Sequence, residues 1–252
     1  MENILIFALG ACLGSFISAL MARRRLGMSI ISPPSFCESC GKRIRTYDLV
    51  PIISFIILRG RCRFCKDKIS IKTFLIEILG GLAFIFAFNI YGGIRALILG
   101  IGLVTSLLIA LTDYSYMEIY DIDCYVLICL GFLYRLLYIE YDFEFFKISL
   151  IFVLVFLLIR YLSKGGLGDG DLFYYLGLFL FLDNSIIIKF VLISLWIGAI
   201  FAIIKSIKIK SLKGEIALCP SILLAFALVL ILGWNYEKSL YLIRIDNSTC
   251  NN

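Results

Sequence analysis

The stretch of sequence that decides the fold is residues 96–113, which read ALILGIGLVTSLLIALTD. No charged side chain occurs in it before Asp113. A helix needs about 20 predominantly apolar residues to cross the hydrocarbon core of a bilayer, whereas a soluble helix of that length would carry a polar face. The run therefore predicts a membrane-spanning helix that ends at an acidic side chain.

Further apolar runs, several of them shorter, occur along the whole chain and indicate a membrane protein. The sequence is 62% hydrophobic and 17% charged, with a mean hydropathy of +1.00, which is far more apolar than a soluble domain. The predicted spans lie near residues 3–22, 73–92, 94–112, 123–140, 147–163, 172–183, 184–205 and 216–234. We predict an all-α polytopic membrane protein of about eight transmembrane helices. The run from Leu172 is the weakest because Asp183 and Asn184 interrupt it, and the first run is expected to remain as a signal anchor.

Basic residues are unevenly distributed over the loops between these spans. Residues 23–72 carry twelve Lys and Arg, and the loops after the fifth and seventh spans carry two and four more, so 18 of the 24 share one side. Because Lys and Arg concentrate in cytosolic loops, we expect a multi-pass protein of the cytoplasmic membrane with both termini outside. The net charge of +6 is then mainly a topology signal, with some contact to anionic lipid, and no nucleic-acid partner is expected.

The chain contains no histidine. This excludes Ser-His and Cys-His catalytic pairs and every metal site that needs imidazole. Acid–base chemistry must then use carboxylates, Lys, Tyr or Cys.

The one long polar segment, residues 23–72, contains two Cys-x-x-Cys pairs, at Cys37 and Cys40 and at Cys62 and Cys65. Two such pairs can close a tetrahedral zinc site and cross-link a loop that is too small to have its own core. Two disulfides or four ordinary thiols are the alternatives, and a reducing cytosol disfavours disulfides. We expect a small zinc-ribbon-like loop between the first and second helices. Cys12, Cys129 and Cys219 lie in apolar runs and are interpreted as small buried hydrophobes.

Two acidic clusters lie at the predicted cytosolic edge of the membrane. Asp113 ends the run quoted above, and Glu118, Asp121 and Asp123 follow it in the next loop. Carboxylates in or beside membrane helices are costly and tend to mark function. A single aspartate here has ordinary explanations, as a helix cap, a topology signal or a solvated charge.

The second cluster is the glycine-dense segment Gly168-Asp169-Gly170-Asp171, which leads into an apolar helix. The glycines Gly168 and Gly170 allow unusual backbone dihedrals and close approach of another strand or helix. Asp171 would then lie at a helix start, where the dipole favours a carboxylate. Taken with Asp113, it supplies the pair that peptide hydrolysis needs: one ionised carboxylate to take a proton from water and one protonated carboxyl to polarise the scissile carbonyl.

At this point the sequence resembles the type IV prepilin peptidases, membrane aspartyl proteases with a glycine-x-glycine-aspartate motif. Gly14-Ser15-Phe16 with Arg23 resembles the amino-terminal helix signature of that family, and residues 37–77 its zinc-binding loop. Asp113 and Asp171 stand at the positions of the catalytic pair. The sequence departs from the family pattern at Ser18, Thr73-Phe74, Tyr120 and Leu172-Phe173, and keeps both carboxylates and all four cysteines of the loop.

The resemblance implies a function. A basic leader would be cleaved from type IV prepilins or pseudopilins after a glycine, and the new amino terminus would in many members be methylated with S-adenosylmethionine. We expect Glu118, Asp121, Asp123 and Asp169 to contribute to binding of the basic leader. Structural zinc at the four cysteines is the other expected cofactor.

Two alternatives from other classes remain at this stage. A transporter could use membrane aspartates for protons or cations but would be expected to show internal repeats, and none is evident. A non-catalytic scaffold for pilus or secretion assembly would tolerate loss of both aspartates. The predicted organisation is a first helix (1–22), a cytosolic four-cysteine loop (23–72), a catalytic bundle (73–234) and an external tail (235–252).

Overall fold

The structure, a computed structural model, describes residues 1–163, 166–209 and 217–233. The predicted external tail, 235–252, lies outside these residues. The described chain is helical apart from connecting loops and two isolated β-bridges, Phe36 with Arg43 and Arg61 with Lys68. The predicted all-α class is therefore confirmed.

The chain divides into two compact units, one of residues 1–108 and one from residue 109 onward. The first contains the helices α1 (Glu2–Arg25), α2 (Ile53–Ile57) and α3 (Ile71–Ile90), with a 3₁₀ turn at Thr46–Leu49. α4 (Gly93–Tyr116) begins in this unit and ends in the second. The second unit continues with the helices α5 (Asp121–Tyr138), α6 (Phe143–Leu162), α7 (Asp169–Phe179), α8 (Asn184–Ile209) and α9 (Cys219–Gly233).

Within the first unit, α1 and α3 pack through glycines. A Cβ on Gly14 would lie 2.7 Å from the carbonyl oxygen of Ile76, and a Cβ on Gly80 would clash with the backbone of Gly10. The spacing of Gly10 and Gly14 is the small-xxx-small pattern that lets membrane helices approach closely. α3 therefore groups with α1 and the four-cysteine loop, although the sequence placed it in the catalytic bundle.

Within the described residues, five helices are long and apolar enough to cross a membrane: α1, α3, α4, α6 and α8. α6 shows the lipid-facing character most clearly, since only 11% of its span is buried and its exposed face carries apolar side chains such as Leu150 and Leu154. The chain is thus a multi-pass membrane protein. Helices α5, α7 and α9 match three more of the predicted spans in position but do not reach that standard of length and composition.

The segment from Leu172 proves to be separate from its neighbour. α7 has 11 residues, which is about 16 Å of helix and roughly half the thickness of a bilayer core. A turn through Leu180–Asp183 then leads into α8 at Asn184. The interruption at Asp183 and Asn184 is a true helix boundary.

Candidate active site

Asp113 lies in the last turn of α4, on a buried face of the second unit. Its side chain is 7% exposed. The backbone N–H of Cys219, the first residue of α9, donates a hydrogen bond of 2.9 Å to Asp113 Oδ2. A buried carboxylate without such a donor would be strongly destabilising, so the start of α9 holds Asp113 in place.

Asp171 lies in the first turn of α7. Gly168 is the N-cap residue, and its N–H donates to the Asp171 carboxylate. In a capping box, the acidic residue at the third helical position accepts a hydrogen bond from the backbone N–H of the N-cap residue in this way. The capping explanation of Asp171 is therefore correct as far as it goes, but it leaves one face of the carboxylate free for other contacts.

The two aspartates meet beside Cys219. One carboxylate oxygen from each aspartate and the Cys219 Sγ lie within 4.8 Å of one another, and Cys219 Sγ is 3.5 Å from Asp171 Oδ1. Three helices thus contribute one polar side chain each to one point. Two carboxylates this close interact strongly, so that they bind and release protons as a pair.

Cys219 is the residue that sequence reasoning missed. It is fully buried, as expected of a small hydrophobe, but its backbone and thiol contact the carboxylates of Asp113 and Asp171. The available signal was topological: Cys219 starts the last apolar run, at the same predicted membrane edge as both aspartates. Cys12 and Cys129, given the same interpretation, are exposed, so for them the expected burial is wrong.

Of the two glycines of the second motif, Gly170 makes a close approach, and neither has an unusual dihedral. Gly168 has an ordinary φ of −76°, and Gly170 is absent from the described residues with positive φ. A Cβ on Gly170 would lie 2.8 Å from the Cβ of Ile119. Gly170 therefore lets the start of α7 pack directly on the turn that follows α4.

The four other acids of these segments have different surroundings. Glu118 and Asp121 are exposed, and Glu118 accepts a hydrogen bond from the Tyr120 hydroxyl. Asp169 is paired with Arg160. Asp123 is only 5% exposed and lies in the first turn of α5, not in a loop. Asp123 is thus less accessible to a leader than the other three acids, and its part in leader binding stays a prediction.

The four cysteines of the first unit form a second cluster. The Sγ atoms of Cys37, Cys40, Cys62 and Cys65 lie within 4.8 Å of one another, with 3.8 Å between those of Cys37 and Cys65. Zn–S bonds of about 2.3 Å in a tetrahedron imply S···S distances of about 3.8 Å, whereas a disulfide would need about 2.05 Å. All four are free thiols, so the cluster has the donor set and spacing of a structural zinc site.

Local hydrogen bonds prepare this cluster for a cation. Backbone N–H groups of Cys65 and Phe64 donate to Cys62 and lower its pKa to about 7. The pKa of Cys65 is raised despite a backbone hydrogen bond from Asp67, because burial and the neighbouring thiols disfavour a second thiolate. Thiolates crowded in this way are stabilised by a shared metal ion.

Two sequence models of one peptidase family match the chain. The Bacterial Peptidase A24 N-terminal domain matches residues 8–91, and the Type IV leader peptidase family matches residues 100–203. Together they cover about three quarters of the chain. The chain belongs to the type IV leader peptidase family.

Curated relatives agree with this assignment to the type IV leader peptidases. A prepilin leader peptidase/N-methyltransferase of Myxococcus xanthus is 38% identical over 41% of this chain and 31% of its own length. Proteins of the same name from Neisseria gonorrhoeae and Bacillus subtilis are 37% and 32% identical over 43% and 46% of the chain, and over 38% and 47% of their own lengths. The chain thus spans less than half of each of these relatives. No solved structure matches it.

The segment matched by the N-terminal model of the type IV leader peptidase family includes a contact, the joint, between the four-cysteine loop and the helices α1 and α3. The Ile52 N–H donates a hydrogen bond of 2.6 Å to Glu77 Oε2 on α3, and Ser15 on α1 also bonds to Glu77. Ile52 has a φ of 63°, a conformation that is costly for a β-branched residue. Nearby, Ser18 and Thr73, two of the departures from the family pattern, are hydrogen bonded to each other at 3.3 Å.

A cavity of about 410 Å³ lies between this joint and the four-cysteine cluster, within the first unit. Its lining includes Ser18, Arg23, Cys37, Glu38 and Glu77. The volume falls in the range of small-molecule pockets, roughly 300–1,000 Å³. Among the described residues, this type IV leader peptidase thus has a cavity of small-molecule size in its first unit, in addition to the aspartate cluster of the second unit.

A buried arginine lies in the second unit, near the end of α5 remote from Asp121. Arg135 is fully buried, donates to the Leu182 carbonyl at 2.9 Å and to Asn184 Oδ1 at 2.7 Å, and stacks on the Phe145 ring. Asn184 in turn donates to Asp142, the N-cap of α6. Arg135 is thus the centre of a polar network that joins the end of α5 to the starts of α6 and α8.

Proposed function

We propose that this chain is an intramembrane aspartyl endopeptidase that removes the basic leader from type IV prepilins or pseudopilins after a glycine. The observation that supports it is the meeting of Asp113 and Asp171, from separate helices, within 4.8 Å of one another. One carboxylate takes a proton from the attacking water while the other donates to the scissile carbonyl oxygen. The names of the curated relatives supply the substrate class.

Cys219 positions this pair. Its N–H holds Asp113 and its thiol borders Asp171, so both carboxylates are fixed relative to α9. Pre-set geometry of this kind is what allows two reacting groups and one water to act together. Peptide hydrolysis then needs the substrate backbone to reach this point.

The test is co-expression with a prepilin and measurement of leader removal. Asp113→Asn and Asp171→Asn should each lower cleavage on the order of a thousandfold or more, because each removes a proton-transfer group. Glu144→Gln is the matched control, since Glu144 is an exposed carboxylate at the start of α6, and it should cleave at the wild-type rate. Normal processing by either aspartate variant would leave the scaffold alternative standing and remove the protease.

We further propose an orientation with the active site, the four-cysteine loop and most basic loops on the cytosolic face and both termini outside. The twelve basic residues of 23–72 support it. It places the exposed acids Glu118 and Asp121, with Asp169, where a basic leader would emerge. Labelling of single introduced cysteines in intact cells tests it: one at Lys42 should be protected from an impermeant reagent, and one at Glu140 should react.

Zinc at Cys37, Cys40, Cys62 and Cys65 is the structural part of the proposal. The ion would cross-link the two halves of a loop whose described residues include no fully buried side chain between Arg45 and Leu58. Metal analysis of the purified chain should find one zinc fewer after replacement of Cys37 and Cys62 by serine than in wild type. A chain that holds no zinc yet resists proteolysis in the loop would contradict it.

Methylation of the new amino terminus is a second activity that one observation favours. The 410 Å³ cavity can admit part of a cosubstrate of the size of S-adenosylmethionine, and the carboxylates of Glu38 and Glu77 can balance its positive charge. When bound, that cosubstrate would supply an electrophilic methyl group. Ser18→Leu, which fills the cavity, should abolish transfer of a labelled methyl group to the cleaved pilin while leaving cleavage intact; loss of both together, or of neither, would contradict the assignment.

A further inference from the structure

The cluster of Asp113, Asp171 and Cys219 has a property that the peptidase reaction does not use. In the part of the chain that the structure describes, only this cluster and the four cysteines bring three or more potential metal-ligand side chains together. It offers one sulfur and two carboxylates. Cys219 and Asp113 are buried, while Asp171 is half-buried and so gives access from outside.

The donor set determines which ions would bind. Sulfur ligands favour Zn²⁺ and Cd²⁺ over Mg²⁺ and Ca²⁺, and three protein ligands with a fourth position for water are a common zinc arrangement. Zn–S and Zn–O bonds of about 2.3 and 2.1 Å imply ligand separations of about 3.4–3.6 Å in a tetrahedron. Cys219 Sγ already lies 3.5 Å from Asp171 Oδ1, and the remaining separations are no more than 4.8 Å, so rotations of the two carboxylates suffice.

We propose that Asp113, Asp171 and Cys219 form a binding site for a thiophilic divalent cation such as Zn²⁺ or Cd²⁺, and that its occupation inhibits the peptidase. The second half of this statement rests on the proposed function.

Inhibition follows from proton accounting. A bound cation requires Cys219 as the thiolate and both aspartates as carboxylates, so the thiol proton and the proton shared by the pair are released to solvent. Neither carboxyl can then donate to a scissile carbonyl. The ion also occupies the place between the aspartates that the attacking water needs.

The sulfur ligand, Cys219, determines how tightly the site binds a metal ion. It lies outside both segments that the family models match, residues 8–91 and 100–203. The catalytic pair alone supplies two carboxylate ligands, which bind Zn²⁺ weakly compared with a site that includes a thiolate. Removing the sulfur should therefore remove most of the affinity.

The binding test uses the full chain purified in detergent with its four-cysteine site saturated with zinc. Each chain is equilibrated with Cd²⁺ or Zn²⁺, freed of unbound metal by gel filtration, and analysed for total bound metal per chain by mass spectrometry. Wild type should hold one ion more than Cys219→Ser and Cys219→Ala. Cys124→Ser is the matched control, because Cys124 is also buried and lies near Gly170 but outside the cluster, and it should keep the additional ion.

Asp171→Asn, which leaves Cys219 intact, should also lose that ion. This variant keeps the test decisive if the Cys219 variants lose helical circular dichroism. Equal metal content in wild type, the folded Cys219 variants and Asp171→Asn would overturn the site.

The inhibition test measures prepilin cleavage as Zn²⁺ is added. The concentration that halves the rate should be about tenfold higher or more in Cys219→Ala than in wild type, and unchanged in Cys124→Ser. Equal sensitivity would overturn the inhibitory role. Because bound metal is measured without substrate, an additional ion in a chain that cleaves no prepilin would sink the proposed function alone, and cleavage without an additional ion would sink the metal site alone.

Discussion

Ile119 packs directly on the backbone of Gly170, so closely that a Cβ on Gly170 would lie 2.8 Å from the Ile119 Cβ. Real Cβ atoms do not approach carbon this closely, so the start of α7 would have to move. Asp171 is the next residue along that turn. The position of Asp171 thus depends on Ile119, a side chain six residues after Asp113.

Gly170→Ala should therefore lower leader cleavage by about 100-fold, as expected when a reacting group is displaced by about 1 Å, while the helical content stays unchanged. Ile119→Ala in the same chain should restore part of the rate, because it removes two of the three closest atoms. Gly168→Ala is the comparison, since the nearest atom to its Cβ would be 3.5 Å away, and its effect should be much smaller. A Gly170→Ala chain as active as wild type would show that the contact does not position Asp171.

Substitutions of the paired residues Arg160 and Asp169 should change the KM for substrate in opposite directions. Arg160 competes with the cations of a basic leader for the Asp169 carboxylate. Arg160→Gln should lower KM for a basic-leader prepilin by about two- to fivefold, and Asp169→Asn should raise KM by a similar factor, the scale of an exposed ion pair. Both effects should shrink as ionic strength rises, and kcat should change little. A shift of KM in the same direction for both variants would rule out this competition.

The loop ion pair of Asp48 with Arg63 predicts a pH dependence. Arg63 donates two hydrogen bonds to Asp48. These hydrogen bonds lower the pKa of Asp48 below its ordinary value of 3.8, although burial opposes the shift. The folded loop thus binds this proton less readily than the unfolded loop. The pair stabilises the loop above pH 3.8, and that contribution is lost as the pH falls through the lower folded-state pKa.

The measurement is resistance of the loop to proteolysis on heating, for wild type and Asp48→Asn. The difference in midpoint temperature should be constant near neutral pH and should close as the pH falls below about 4. Glu38→Gln, another carboxylate of the same loop, controls for the general effect of acid and should show no such closing difference. A gap that widens in acid would contradict the sign of the Asp48 shift.

The two Cys-x-x-Cys pairs are followed by different residues in the same backbone conformation. The residue after the second cysteine is left-handed in both, Gly41 with φ of 68° and Lys66 with φ of 61°. Only glycine adopts this conformation without steric cost. Lys66→Gly should therefore stabilise the loop by about 0.5–1 kcal/mol, and Gly41→Ala should destabilise it by about 1 kcal/mol.

Because zinc binds the folded loop, both changes should appear in competition with a chelator. Lys66→Gly should retain zinc at higher chelator concentration than wild type, and Gly41→Ala should release it earlier. Lys68→Gly, at a β-bridge residue without positive φ, should not increase retention. If Lys66→Gly released zinc more easily, the left-handed strain at this position would be disproved.

Patterns local in sequence predicted much of this molecule. Unbroken apolar runs gave the helical membrane class, and the spacing of Cys37, Cys40, Cys62 and Cys65 gave their cluster. What they could not give depends on contacts between distant segments: Cys219 bonds to Asp113 across 106 residues, and no periodicity reports such a contact. The burial of Asp123 and the short length of α7 could not be predicted from the sequence for the same reason, since both are set by neighbouring helices.

The catalytic roles of Asp113 and Asp171 stay a proposal, but the sequence correctly singled out two residues that the fold brings together. It did so because a carboxylate at the end of an apolar helix is costly and needs a partner. The same reasoning, applied to the start of the last apolar run, would have put Cys219 at the same place. It did not predict the role of Arg135, whose partners come from two later segments, near Phe145 and at Leu182 and Asn184.

The enclosure of Arg135 has a consequence for biogenesis. Its guanidinium is always charged, and its two hydrogen-bond acceptors, Leu182 and Asn184, are made some 50 residues later. During synthesis, Arg135 must therefore remain without these two acceptors until the turn before α8 has been made. Chains truncated before Asn184 should be held by insertion factors and degraded by membrane proteases, whereas chains that extend past α8 should persist.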